Sequence, residues 1–116
     1  MAEGPISYLP ERRQQSRRPL RATAHLLIAS RQSLSVRVLD VGVSGISIVT
    51  AANAPVDAEC GLRFSIPWGL QTLCIEAAVS VAQSVFSRND DGFRVSLRFK
   101  SLTDEQANAL RNFVAS

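Results

Sequence analysis

From Ala22 to Lys100 the chain consists of short stretches in which apolar and polar residues alternate, each stopped by glycine, proline or a run of Asn and Asp. A period of two sends one set of side chains to a core and the other to water, which strands satisfy and helices do not. His25–Ala29 is apolar, Ser30–Ser33 supplies turn residues, and Leu34, Val36 and Val38 alternate with Ser35 and Arg37, a hairpin pattern. After a turn at Gly42–Gly45 comes Ile46–Val49, and Ala51–Pro55 breaks the chain before Gly61–Ile66, where Leu62, Phe64 and Ile66 face one way. Pro67-Trp68-Gly69 ends that strand. Leu73–Gln83 is a longer β segment, and the turn at Arg88–Gly92 precedes Phe93, Val95, Leu97 and Phe99 alternating with Arg94, Ser96, Arg98 and Lys100. The last element differs. Thr103 and Gln106 form a capping box with Asp104 and Glu105 in the first turn, predicting a helix over 103–115 whose apolar face carries Ala107, Leu110 and Val114. The whole is an all-β chain of six antiparallel strands, closed as a small barrel or packed as a sandwich, with the helix across an opening.

With 116 residues and 46% hydrophobic side chains the chain can fill one core and not two. Charge is unevenly placed. Residues 11–21 hold Arg12, Arg13, Arg17, Arg18 and Arg21 against Glu11, while the remainder carries eight basic and nine acidic side chains. Residues 1–10 read as a disordered lead-in. Residues 11–21 form an arginine-rich arm that repels itself and is expected to stay flexible until an anion neutralises it, and the barrel proper is expected over 22–100. A local cluster of this kind suits a small anion or an acidic partner surface better than a nucleic acid.

Several chemistries lack their residues. Cys60, Cys74 and the single His25 show no metal-ligand spacing, so no zinc or haem site is expected, and both thiols are expected reduced and partly buried. No apolar run approaches the roughly 18 residues of a membrane span, and no signal-peptide order opens the chain. The expectation is a cytoplasmic protein, or a cytoplasmic piece of a larger one, with no direct membrane insertion. His25 has no Ser, Cys or acidic partner at catalytic spacing and reads as a strand residue; Ser44 in Gly-Val-Ser-Gly lacks the α/β context of a nucleophile elbow. Trp68 reads as a rim residue. No catalytic residue is assigned and no enzyme is expected.

Two segments stand out. One is Glu11-Arg12-Arg13-Gln14-Gln15-Ser16-Arg17-Arg18-Pro19-Leu20-Arg21; the other is Asp40-Val41-Gly42-Val43-Ser44-Gly45, between two predicted strands. Together they resemble the two signatures of the PilZ domain family, an Arg-x-x-x-Arg arm before the first strand and an Asp-x-Ser-x-x-Gly turn after the second. The resemblance runs from Glu11 to Val114 and takes in Pro67, the strand from Gly92 and the final helix in family order.

That resemblance implies a six-stranded PilZ-like barrel that is a non-catalytic bacterial receptor for cyclic di-GMP, with no other cofactor. It places Arg13 and Arg17 on the paired arginines, with Arg12 and Arg18 as neighbours able to reach phosphate, and Asp40, Gly42 and Gly45 in the turn. Arg17 to Arg21 offers a second register; Arg13 with Arg17 is preferred because a Pro-containing stretch then leads into the first strand, which Arg21 opens. Arginine pairs bidentately with phosphate or with guanine O6/N7, and a carboxylate accepts from the guanine N1–H and N2–H edge. Gly45 is expected to adopt a conformation closed to residues with a Cβ. The chain has Gly42 where the family turn has serine, so Gly42→Ser is expected to tighten binding if the turn accepts a Cβ. The partner implied is an effector protein or attached domain, such as an exopolysaccharide synthase or a motility component. The rival readings are a ligand-blind interaction module of the same fold, which Gly42 favours, and a small nucleic-acid-binding barrel, which the scarcity of aromatic residues opposes.

Overall fold

The structure is a computed structural model that describes residues 16–28 and 32–116. Residues 1–15, which take in the expected lead-in and the arm as far as Gln15 with Arg12 and Arg13, and residues 29–31, which take in part of the turn expected at Ser30–Ser33, lie outside the described residues. Strands β1 (Arg17–Leu27), β2 (Ser33–Gly42), β3 (Gly45–Thr50), β4 (Glu59–Trp68), β5 (Gln71–Ser87) and β6 (Gly92–Phe99) precede the helix α1 (Asp104–Ala115). They form a closed antiparallel barrel in the order β1-β2-β3-β6-β5-β4. Alternation alone leaves open whether the sheet closes, and the closed barrel is the one the family resemblance implies. Closure rests on the pairing of β1 with β4, which is confined to His25 with Arg63, Leu26 with Leu62 and Leu27 with Gly61.

Alternation fills the interior as expected. Ala24, Ile46, Ile48, Leu62, Ile66, Ile75 and Val79 are wholly buried, each on the inward face of its strand. A fully buried Val, Leu or Ile side chain contributes roughly 1.5–3 kcal/mol, so the period of two in the sequence carries most of the driving force. The β4–β5 hairpin turns on Gly69-Leu70 between the paired Trp68 and Gln71. Gly69 has φ +63, the left-handed region where glycine has no Cβ to clash.

Three boundaries and faces differ from the sequence reading. β1 begins at Arg17, not near Ala22, because its first residues pair with the end of β2, and Arg21 therefore lies inside the strand. β5 runs from Gln71 to Ser87, longer than predicted, because it pairs first with β4 and then with β6. The helix has its predicted capping box, but its buried stripe is Ala109, Leu110 and Phe113, with Ala107 and Val114 only half-buried. The helix packs against β4, β2 and β1, where β1 has parted from β4, and that opening selects the face. Cys74 is exposed, against the expected partial burial, whereas Cys60 is half-buried and burial pushes its thiol pKa up.

Candidate functional site

The outer face of β1, β2 and β3 at their helix-proximal end is built by register. β1 pairs Arg17 with Gly42, Arg18 with Val41 and Pro19 with Asp40; β2 pairs Asp40 with Ser47 and Val41 with Ile46. Simple alternation after the buried Val36 and Val38 would send Asp40 into the core. The register of β2 against β3 slips by one between Val38 and Asp40, so Leu39 is an extra residue in β2. This bulge reverses the parity: Val41 becomes fully buried and Asp40 turns outward.

There the Arg17 Nε donates to Asp40 Oδ1 at 2.6 Å, and Arg17 Nη2 donates to Ser47 Oγ at 3.2 Å. The side chains of Arg17 and Asp40 keep 32% and 35% of their exposure. A pair this wet adds little to stability and can exchange its partners for a ligand. Ser47, which the motif reading passed over, is the hydroxyl at this pair. Its signal was obscure in the sequence, since only the β2–β3 register sets it beside Asp40. Ser96 lies across from Ser47 on the same face, and Arg98 lies across from Gly45.

Both turn glycines are needed for space. Gly45 does not have the left-handed backbone expected of it; among the described residues Gly69 is the glycine with positive φ. A Cβ on Gly45 would stand 2.3 Å from the Leu97 carbonyl oxygen, because β6 crosses directly against it. A Cβ on Gly42 would lie 2.8 Å from the Ser16 carbonyl oxygen and 3.5 Å from the Arg17 Cγ. Gly42 is thus the flat floor over which Arg17 reaches Asp40.

Arg18 points the other way, as the next residue on a strand must. Its Nη1 donates to the Phe113 carbonyl at 2.8 Å and to Ser116 Oγ, and its guanidinium sits 4.4 Å from the Phe113 ring centroid. The last turn of α1 contains no basic residue, so Arg18 supplies from β1 the cation that the C-terminal carbonyls favour. Of the seven residues singled out in the sequence, the structure brings together Arg17, Asp40, Gly42 and Gly45, sets Arg18 apart on the helix, and does not describe Arg12 or Arg13.

His25 lies opposite Ser35 and Arg63. Among the described residues no group of three or more His, Cys, Asp and Glu could hold a metal ion, and no helix is long and apolar enough to cross a membrane. What the face offers is a carboxylate acceptor, guanidinium donors, hydroxyls and a flat glycine floor. Chemically, such a set can pair with a planar hydrogen-bonding edge and with an anion.

Residues 11–116 match the family model described as the PilZ domain. A search of curated proteins by sequence found no match. Among solved structures the chain is similar to the Bacillus subtilis inhibitor of motility, MotI/DgrA, at 14% identity and a TM-score of 0.77, covering 86% of this chain and 48% of that one. It is also similar to the PilZ domain with c-di-GMP of YcgR from Escherichia coli, at 12% identity and a TM-score of 0.58, covering 82% of this chain and 79% of that one. The chain spans about half the length of the first of these, and at such identities both likenesses speak to the fold.

Proposed function

The chain belongs to the PilZ domain family, and on that premise we propose that it is a non-catalytic cytoplasmic receptor that binds cyclic di-GMP on the outer face of β1, β2 and β3. The observation that carries this reading is the 2.6 Å pair between Arg17 and Asp40, residues 23 apart in sequence that strand pairing sets side by side on an exposed face. Asp40 accepts from the N1–H and N2–H edge of a guanine, while Arg17, with Arg13 and Arg12 from the arm, answers the phosphates and the guanine O6/N7 edge. Gly42 and Gly45 keep the floor flat. Arg18 contributes by holding the helix.

The bound state is read by an effector protein or an attached domain. A motility component or an exopolysaccharide synthase would each serve as that effector. Calorimetric titration of the full chain with cyclic di-GMP tests the reading. Saturable binding that Asp40→Ala and Arg13→Ala abolish is expected, with the melting temperature of Asp40→Ala nearly unchanged because that side chain is half-exposed on the outer face. No binding by the wild type at ligand concentrations up to about 1 mM would overturn it.

One observation favours a second reading, the ligand-blind interaction module: Arg17 and Asp40 satisfy each other in the free protein, and Gly42 offers no hydroxyl. In that case the same face docks an acidic protein surface. The null titration is its signature.

A further inference from the structure

Beside the Arg17–Asp40 pair lies a charged groove whose Thr23, Ser35 and Arg37 belong to neither signature motif. Between Pro19 and Ala22 the register of β1 against β2 slips by one, so Leu20 and Arg21 face Leu39 alone, the same Leu39 that bulges against β3. Adjacent bulges sharpen the local twist and bend the strands apart. The outer surface there holds a groove of about 800 Å³ whose walls include Pro19, Arg21, Thr23, Ser35, Arg37 and Leu39. Pro19 is the cross-strand neighbour of Asp40, so the groove continues from the site across one strand spacing, about 4.8 Å.

Its charge is unbalanced. Arg37 pairs across the strands with Thr23, and Arg21 lies two residues from Thr23 on β1, which sets both exposed guanidinium groups over one patch. Arg21 has no hydrogen-bond or ion-pair partner among the described residues. Arg37 Nη2 donates to the Asp90 carbonyl oxygen at 3.5 Å and reaches the Asp90 carboxylate at 3.7 Å, and that carboxylate is held more closely by Ser87 at 2.8 Å and Arg94 at 3.0 Å. Two cations flanking the Thr23 hydroxyl, with no carboxylate among the described residues of the groove wall, form an anion site, because a bound phosphate removes their repulsion and accepts from both forks. Among the described residues no aromatic side chain lines the groove, so it does not suit a strand of stacked bases.

We propose that this groove is a second phosphate-binding subsite, with Arg21 and Arg37 as its ligating residues, filled by a phosphate group of the ligand whose guanine edge is held at Asp40. The subsite rests on the cyclic di-GMP reading for its occupant, and on the groove itself for its phosphate chemistry. Two probes separate the two. In calorimetry with cyclic di-GMP, Arg21→Gln and Arg37→Gln are each expected to weaken binding about tenfold, while Arg63→Gln, paired with Glu76 on β4 and β5 away from the groove, leaves it unchanged. In amide NMR of the full chain, inorganic phosphate is expected to shift Arg21, Thr23, Ser35 and Arg37 in the wild type and not in the Arg21→Gln/Arg37→Gln double variant. Tight dinucleotide binding that both single variants retain sinks the subsite and leaves the receptor reading intact. Phosphate shifts confined to the groove in a protein that ignores cyclic di-GMP sink the receptor reading and support a phosphate site with another source. Phosphate shifts scattered over the surface, or equal in the double variant, overturn the subsite outright.

Discussion

Gly42→Ser restores the serine of the family turn, and by motif alone it ought to tighten binding. The geometry predicts the reverse. The new Cβ would lie 2.8 Å from the Ser16 carbonyl oxygen, a separation real Cβ atoms essentially never show, and the nearest atom is backbone, so β1 must retreat by several tenths of an ångström. Overpacking of this kind typically costs about 1–3 kcal/mol, and the low end applies because Ser16 is exposed at the opening of the strand. The displaced residue is Arg17, so its bond to Asp40 goes with it. A neutral hydrogen bond from the added hydroxyl returns only about 0.5–1.5 kcal/mol, and Ser47 already places a hydroxyl at the pair. The expected outcome is a melting temperature lowered by about 4 °C or more, together with affinity for cyclic di-GMP that is equal to or weaker than wild type. Scanning calorimetry of the free proteins and titration of wild type, Gly42→Ser and Gly42→Ala measure both quantities. A Gly42→Ser protein that melts like wild type and binds tighter would refute the reasoning, for it would show that β1 does not press on Gly42.

Leu110 is wholly buried where the helix closes the barrel, so Leu110→Ala should lower stability by about 2–5 kcal/mol, read as a reduced urea midpoint at constant slope. Arg18→Ala loses the bonds to the Phe113 carbonyl and Ser116 and the contact with the Phe113 ring, and should destabilise by about 1–3 kcal/mol while changing ligand affinity less than about threefold. Asp90 has its pKa lowered, first by the Ser87 hydroxyl and then by Arg94 and Arg37. A depressed carboxylate stabilises the fold above its ordinary range near pH 4 and loses that contribution as pH falls through the lowered value, so melting temperature should drop over that interval in wild type and less steeply in Asp90→Asn.

The elements themselves were legible because their signals are local. Alternation of Leu62, Phe64 and Ile66, or of Val95 and Leu97, needs no knowledge of a partner strand to show which face is buried. The capping box of Thr103 and Gln106 closes within a single turn and was read correctly for the same reason. Arg17 and Asp40 were also visible as residue types in two short motifs. Other features depended on pairings between distant segments. The Leu39 bulge, which turns Asp40 out of the core, exists only as a mismatch between β2 and its neighbours and has no residue signature of its own. Ser47 stands beside Asp40 through the β2–β3 register, and Gly42 and Gly45 are obligatory through how closely other backbones pass them, Ser16 in one case and Leu97 in the other. Arg17 and Arg18, alike in sequence, were assigned opposite tasks by strand parity, one facing Asp40 and the other the end of the helix. Likewise Ala107-Leu110-Val114 and Ala109-Leu110-Phe113 are both sound helical stripes, and the gap between β1 and β4 chose the second. The sequence by itself therefore determined the strands, the helix and the residue types of the exposed pair, since each is set within a few residues. Only the closed barrel decided which of those side chains meet, because register and close approach are properties of two chain segments at once.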